Sequence, residues 1–154
     1  ISAILNAYPA MQGILFDQPH VVTKATDLLT SRGVSDRCQT VGGSFFESVP
    51  SGGDAYIMSH IMHDWGDQEC LQILRNIRQA MPDHGRLLVV DQVVPPGNTP
   101  HFSKLMDICM MIMYVAGKER TEAEFQTLFQ AAGFRLLRIL PTSSPMSILE
   151  CVAN

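Results

Sequence analysis

The sequence predicts an α/β fold, doubly wound around a mostly parallel sheet and finished by an antiparallel hairpin. Three observations predict it. Strand-like apolar runs alternate with segments of helical spacing along most of the chain. The run Arg86–Val94 (RLLVVDQVV) is largely apolar, as suits a strand in the middle of a parallel sheet. The last two strand-like runs are joined by Pro141-Thr142-Ser143-Ser144-Pro145, too short for a helical crossover, so they pair antiparallel.

The elements follow in order. Ile1–Pro9 reads as a helix, and its first residue is Ile rather than Met. Gly13–Asp17 (GILFD) is a short strand stopped at Pro19. Val21–Ser31 carries Val21, Ala25, Leu28 and Leu29 at helical spacing, and Gly33 stops it. Arg37–Val41 and Asp54–His60 are further strands. Asp67–Met81 is the clearest helix, with Leu71, Leu74, Ile77 and Met81 along one side and Pro82 and Gly85 beyond its end. Phe102–Val115 is an apolar, methionine-rich helix. Thr121 opens another helix as N-cap, with Glu124 completing a capping box, and Gly133 ends it. Arg135–Leu140 and Met146–Val152 form the closing hairpin.

Composition narrows the function. The 154 residues fit one domain, and with 46% hydrophobic residues the chain can bury a core. Only 17% of residues are charged, against roughly 25% in an ordinary soluble domain. A net charge of −4 argues against nucleic acid, which calls for a basic face. No apolar run reaches the ~18 residues of a membrane span. Cys38, Cys70, Cys109 and Cys151 are scattered, so reduced thiols in a cytoplasm are expected rather than a disulfide framework or a structural zinc site.

Four motifs then carry a resemblance. They are Val41-Gly-Gly-Ser-Phe-Phe-Glu-Ser-Val-Pro50, His60-Ile-Met-His-Asp-Trp65, Gly117-Lys-Glu-Arg-Thr121 and Ala132-Gly-Phe134. In this order, over essentially the whole chain, they resemble the catalytic domain of S-adenosylmethionine-dependent O-methyltransferases of the plant caffeate and acetylserotonin type and their bacterial relatives. The resemblance implies a Rossmann-like methyltransferase sheet and S-adenosylmethionine as cofactor. It implies methyl transfer to a hydroxyl of a small molecule, aromatic or polyketide-like. The family's first strand and its Asp-x-Gly-x-Gly loop have no counterpart here, nor has its helical dimerisation domain. The expectation is a partial catalytic domain, residues 1–154, of an enzyme that dimerises through upstream helices.

The same resemblance assigns roles to residues. His63 is the general base, because a neutral phenol is a poor nucleophile and imidazole titrates near neutrality. Read from the residues alone, a strand-end histidine bonded to backbone is the favoured account, and the family match reverses that preference. Asp91 and Glu119 match the two carboxylates that steady the base. Asp91 ends an apolar strand, an odd place for an unpaired charge; Glu119 also fits a charge before a helix N-terminus. Asp64 is either a turn or cap residue or a contact to the acceptor. Asp17 matches the ribose-binding carboxylate, or forms an Asx turn before Pro19. Ser44 and Phe45 match the adenine-contacting pair, with Ser in place of the usual Asp. Ser59 falls where plant members carry Lys. Met110 and Asp107 match the acceptor pocket, and Tyr114 is near enough in sequence to reach the acceptor.

Other readings fit less well. His60 and His63 could share a metal only if the chain turned between them, because a strand sends residues three apart to opposite faces, so no metal is expected. A nicotinamide oxidoreductase would share Asp17 but would need a Tyr-x-x-x-Lys pair within a helix, and the one such spacing, Tyr114 to Lys118, crosses Gly117 where the apolar helix ends. A hydrolase would need a G-x-S-x-G elbow. The main alternative is a degenerate methyltransferase-fold module acting in dimerisation or regulation.

Overall fold

A computed structural model describes all residues, Ile1–Asn154, and the chain divides into two compact units, Ile1–Ser51 and Gly52–Asn154. In the first, helix α1 (Ser2–Ala7) precedes strand β1 (Gly13–Asp17), helix α2 (Pro19–Ser31) and strand β2 (Cys38–Gly42). Pro19 does stop the strand, but it also starts the helix: it occupies the first turn after the N-cap Gln18, where a missing N–H costs nothing. Strands β1 and β2 pair in parallel, Gly13 opposite Cys38 through Asp17 opposite Gly42, with α2 as the crossover. Leu5, Leu29, Val34 and Cys38 form this unit's core, with Leu15 packed against it. The Arg37 guanidinium donates to the carbonyl of Leu5, which the end of α1 leaves open, and to those of Pro9 and Met11 in the loop that follows.

The second unit holds a four-stranded sheet in the order β3–β4–β8–β7, from strands β3 (Ala55–Ser59), β4 (Arg86–Asp91), β7 (Phe134–Pro141) and β8 (Ser147–Ala153). Strands β3 and β4 run parallel, β8 is antiparallel to both β4 and β7, and a register shift falls between Leu136 and Arg138. The hairpin is thus as expected. The predicted run Arg86–Val94 divides at Gln92: β4 stops at Asp91, and a two-residue strand β5 (Val93–Val94) pairs instead with β6 (Arg120–Thr121). Along β4 the side chains of Leu87, Val89 and Asp91 are buried and those of Leu88 and Val90 half-buried, so one face is fully covered.

Between β3 and β4 lie a 3₁₀ turn (Met62–Asp64) and helix α3 (Asp67–Ala80); helix α4 (Phe102–Met113) and helix α5 (Glu122–Ala131) come later. The capping box at Thr121 forms as its pattern requires: the Thr121 hydroxyl accepts from the Glu124 N–H and the Glu124 carboxylate accepts from the Thr121 N–H. Gly133 ends α5 with φ of 83°, the left-handed conformation that glycine adopts without strain. On α5, Phe125 and Phe129 stack with centroids 5.8 Å apart, and both are buried, as are Phe134, Leu149 and Cys151.

Phe129 has no exposed surface. Phe129→Ala should lower unfolding stability by about 3–5 kcal/mol. Urea unfolding measures this, and a change below about 1 kcal/mol would mean that the ring is not packed as described.

Candidate functional site: a buried histidine and two carboxylates

The site is assembled from three chain segments of the second unit. Strand β3 delivers the Met62–Asp64 turn, β4 ends at Asp91, and the segment before β6 carries Glu119. His63, Asp91 and Glu119, far apart in sequence, are all buried. His63 Nδ1 lies 3.1 Å from Glu119 Oε1 and 3.4 Å from Asp91 Oδ1. Its N–H therefore donates to Glu119, which leaves the lone pair on Nε2. On that side Asp64 Oδ1 lies 3.4 Å away, so Asp64 faces the imidazole directly.

The carboxylates set the electrostatics. The hydrogen bond to Glu119 raises the His63 pKa above its ordinary 6.5, against the opposing effect of burial, and the charges of Asp91, Glu119 and Asp64 add to the rise. Burial pushes the Asp91 carboxyl up to about 6, and His63 partly offsets it. Gln92 completes the group: its backbone N–H donates to Asp91 Oδ1 and its side-chain amide to Glu119 Oε1. Asp91 Oδ2, Glu119 Oε2 and Gln92 Oε1 are buried acceptors without a donor. The ligand atoms of His63, Asp91 and Glu119 lie within 4.8 Å of one another, close enough to hold a cation. A cation there would have to displace the proton that His63 donates to Glu119.

Arg120 was not among the residues expected to matter, and it holds the site in place. Its side chain has no solvent exposure. One terminal nitrogen donates to the Met62 carbonyl at 2.6 Å; the other donates to the Trp65 carbonyl and to Asp67 Oδ1, each at 2.8 Å. These bonds grip the turn on both sides of His63. The Lys118 N–H donates to the His63 carbonyl itself at 2.9 Å. The signal available in the sequence was slight: an arginine beside Glu119 in a chain with few charges.

The remaining expected residues divide. Asp107 sits on α4, where its Oδ1 accepts the Glu119 N–H at 2.9 Å, so it fixes a carboxylate of the site. Met110 is buried on the same helix, whereas Met111 and Met113 are exposed. The charge of Asp64 raises the pKa of the Tyr114 phenol. Ser59 ends β3 with its hydroxyl 2.8 Å from His60 Nδ1.

In the first unit, Asp17 and Ser44 stand at or just beyond the carboxyl ends of two adjacent parallel strands, the usual ligand side of such a sheet. The Asx contact is present, with the Gln18 N–H donating to Asp17 Oδ1 at 2.7 Å, and Asp17 is exposed. Ser44 Oγ accepts from the Phe46 N–H, and the rings of Phe45 and Phe46 meet edge to face at 4.8 Å. A Cβ on Gly43 would lie 2.7 Å from the Phe16 ring, so glycine is required there for the backbone to pass.

Comparison with known proteins identifies the family. The O-methyltransferase domain family matches residues 1–135. The phenazine O-methyltransferase PhzM of Lysobacter antibioticus is 53% identical over 150 residues, 97% of this chain and 44% of its own length. The mitomycin biosynthesis 6-O-methyltransferase of Streptomyces lavendulae is 40% identical over 97% of this chain and 43% of its own. The crystal structure of LaPhzM superposes with a TM-score of 0.94 at 52% identity, covering 99% of this chain and 46% of that one. The O-methyltransferase NcsB1 from neocarzinostatin biosynthesis, solved with S-adenosylmethionine and 2-hydroxy-5-methyl naphthoic acid, superposes with a TM-score of 0.89 at 33% identity, covering 99% and 45%. The chain thus spans less than half the length of these relatives, and it belongs to the O-methyltransferase domain family.

Proposed function

We propose that this chain carries the acid–base machinery of an S-adenosylmethionine-dependent O-methyltransferase whose acceptor is a hydroxyl on a small aromatic or polyketide-like molecule. The observation that carries the reading is the buried histidine with its Nδ1 proton committed to a carboxylate and its Nε2 lone pair left available. Asp17 would bind ribose hydroxyls and Ser44 and Phe45 the adenine, with Ser59 as a further cofactor contact. S-adenosylmethionine supplies an electrophilic methyl carbon on a sulfonium, which leaves as a neutral thioether. Cytoplasmic location and a homodimer formed through upstream helices belong to the same proposal; the four thiols are free, and no helix is long and apolar enough to cross a membrane.

In this mechanism His63 Nε2 takes the proton of the acceptor hydroxyl as the oxygen begins to bond to the methyl carbon. Imidazole becomes imidazolium inside a cluster of carboxylates, and Glu119 and Asp91 compensate the new charge on the Nδ1 side. Asp64 faces the newly protonated nitrogen. Met110 and Tyr114 would border the acceptor. Much of the acceleration comes from holding two substrates in line, a proximity effect. Retention of the whole His63–Glu119–Asp91 arrangement speaks against a degenerate, non-catalytic module.

In the complete protein, His63→Ala should lower turnover by ~10²-fold or more with little change in cofactor affinity. Steady-state kinetics with cofactor titration checks this, and turnover near wild type would remove His63 as the base. Glu119→Gln should cost less.

The pH profile follows from the same contacts. His63 accepts a proton only when neutral, and its raised pKa means that turnover should climb with pH along a limb lying above 6.5. Glu119→Gln removes the largest cause of the rise and should move that limb to lower pH. An unmoved limb would show that another group is titrating.

Arg120→Lys cannot reproduce a fork that reaches two carbonyls and Asp67. It should cost about 3 kcal/mol of stability, since buried acceptors lose their donor. Thermal and urea melts of the variant give the answer.

A further inference from the structure

His60 is the only residue other than glycine with positive φ, at 56°. Among L-residues with a side chain, histidine is one of the few that enters this region with any frequency. The turn is fixed from two sides. The His60 N–H donates to the Val90 carbonyl at 3.1 Å, extending the β3–β4 ladder by one bond past Ser59. Its Nδ1 meets the Ser59 hydroxyl at 2.8 Å.

The consequence is the approach of two rings that a continued strand would have sent to opposite faces. The His60 and His63 imidazoles lie with centroids 5.6 Å apart and planes at 65°, an edge-to-face contact. His60 is exposed and His63 is not. Glu119 and Asp91 hold His63 at one atom, Nδ1, while Asp64 stands 3.4 Å from Nε2 without a hydrogen bond to it. A bond at one atom sets a direction but leaves the ring plane free to tilt, and a tilt swings Nε2 away from an acceptor. A second ring packed edge to face removes that freedom.

We infer that His60 is a positioning residue for the base: its left-handed turn and its ring contact fix the plane of the His63 imidazole, so that Nε2 stays aimed at the acceptor hydroxyl. The inference rests on His63 being the base, and it adds a constraint that the carboxylates do not provide. It also gives a reason for strained backbone at this place, since such conformations persist where the surroundings enforce them and cluster at functional sites.

The test uses the complete protein. His60→Asn keeps a residue tolerant of the left-handed turn and removes the ring. Its kcat should fall about tenfold, with KM for the cofactor and the melting temperature nearly unchanged. His60→Phe restores a ring without the imidazole nitrogens and should lose less, about threefold. A wild-type kcat in His60→Asn overturns the inference. So does a loss expressed in cofactor KM, which would make His60 a binding residue, and so does a His60→Phe variant that folds yet loses as much as His60→Asn. If His60→Phe does not fold, the Asn variant decides alone. His63→Ala separates the two levels: if it retains turnover, the base assignment fails; if it is inactive while His60→Asn is wild type, only the positioning role fails.

Discussion

A guanidinium without solvent exposure ties the site together. Arg120 donates to Met62, Trp65 and Asp67, and the neighbouring Lys118 N–H donates to His63. The short turn that carries His63 lacks the length to be stable by itself, since 3₁₀ geometry gives poor hydrogen bonds. It keeps its form because a second segment satisfies its carbonyls. Glu119 lies between those two donors, so the bonds that shape the turn also deliver the carboxylate to the imidazole. Cys70 adds weaker thiol contacts to the same Met62 and Trp65 carbonyls, and burial raises its pKa to about 11, which keeps it protonated as a donor.

A buried arginine would be costly without partners. Here the charge is balanced by Asp67, whose burial would raise its pKa but whose pairing with Arg120 and Lys118 lowers it instead. The folded state thus favours the ionised carboxylate, and the pair contributes stability above the ordinary Asp range that is lost as pH falls through the lowered value. The His63 cluster has the opposite sign. Its imidazole has a raised pKa, so it stabilises the fold most below 6.5 and progressively less as pH rises through the raised value. The neutral imidazole of His63 is therefore the form that is electrostatically less favoured among these carboxylates.

Much of the architecture was legible in residues. Thr121 and Glu124 announce a capping box, and the box forms; the short Pro141–Pro145 link demands a hairpin, and β7 and β8 make one. Local rules suffice there because the deciding contacts lie within a few residues. Gln92 shows where they stop sufficing. The run after Arg86 reads as one strand, but its end pairs with Arg120 and Thr121, about thirty residues later in the chain, and no local pattern reports such a partner.

By itself the sequence determined the α/β order of elements, the motifs that mark the methyltransferase family, and the candidates His63, Asp91 and Glu119. Periodicity, capping and motif spacing are written into neighbouring residues, so they can be read without coordinates. Only the tertiary structure decided that Arg120 and Asp107 brace the site, that Asp64 faces Nε2, and that His60 turns left-handed toward His63. These contacts join segments separated by turns and strands, or depend on a single backbone angle. Their energies exist only once long-range packing has brought the groups within bonding distance.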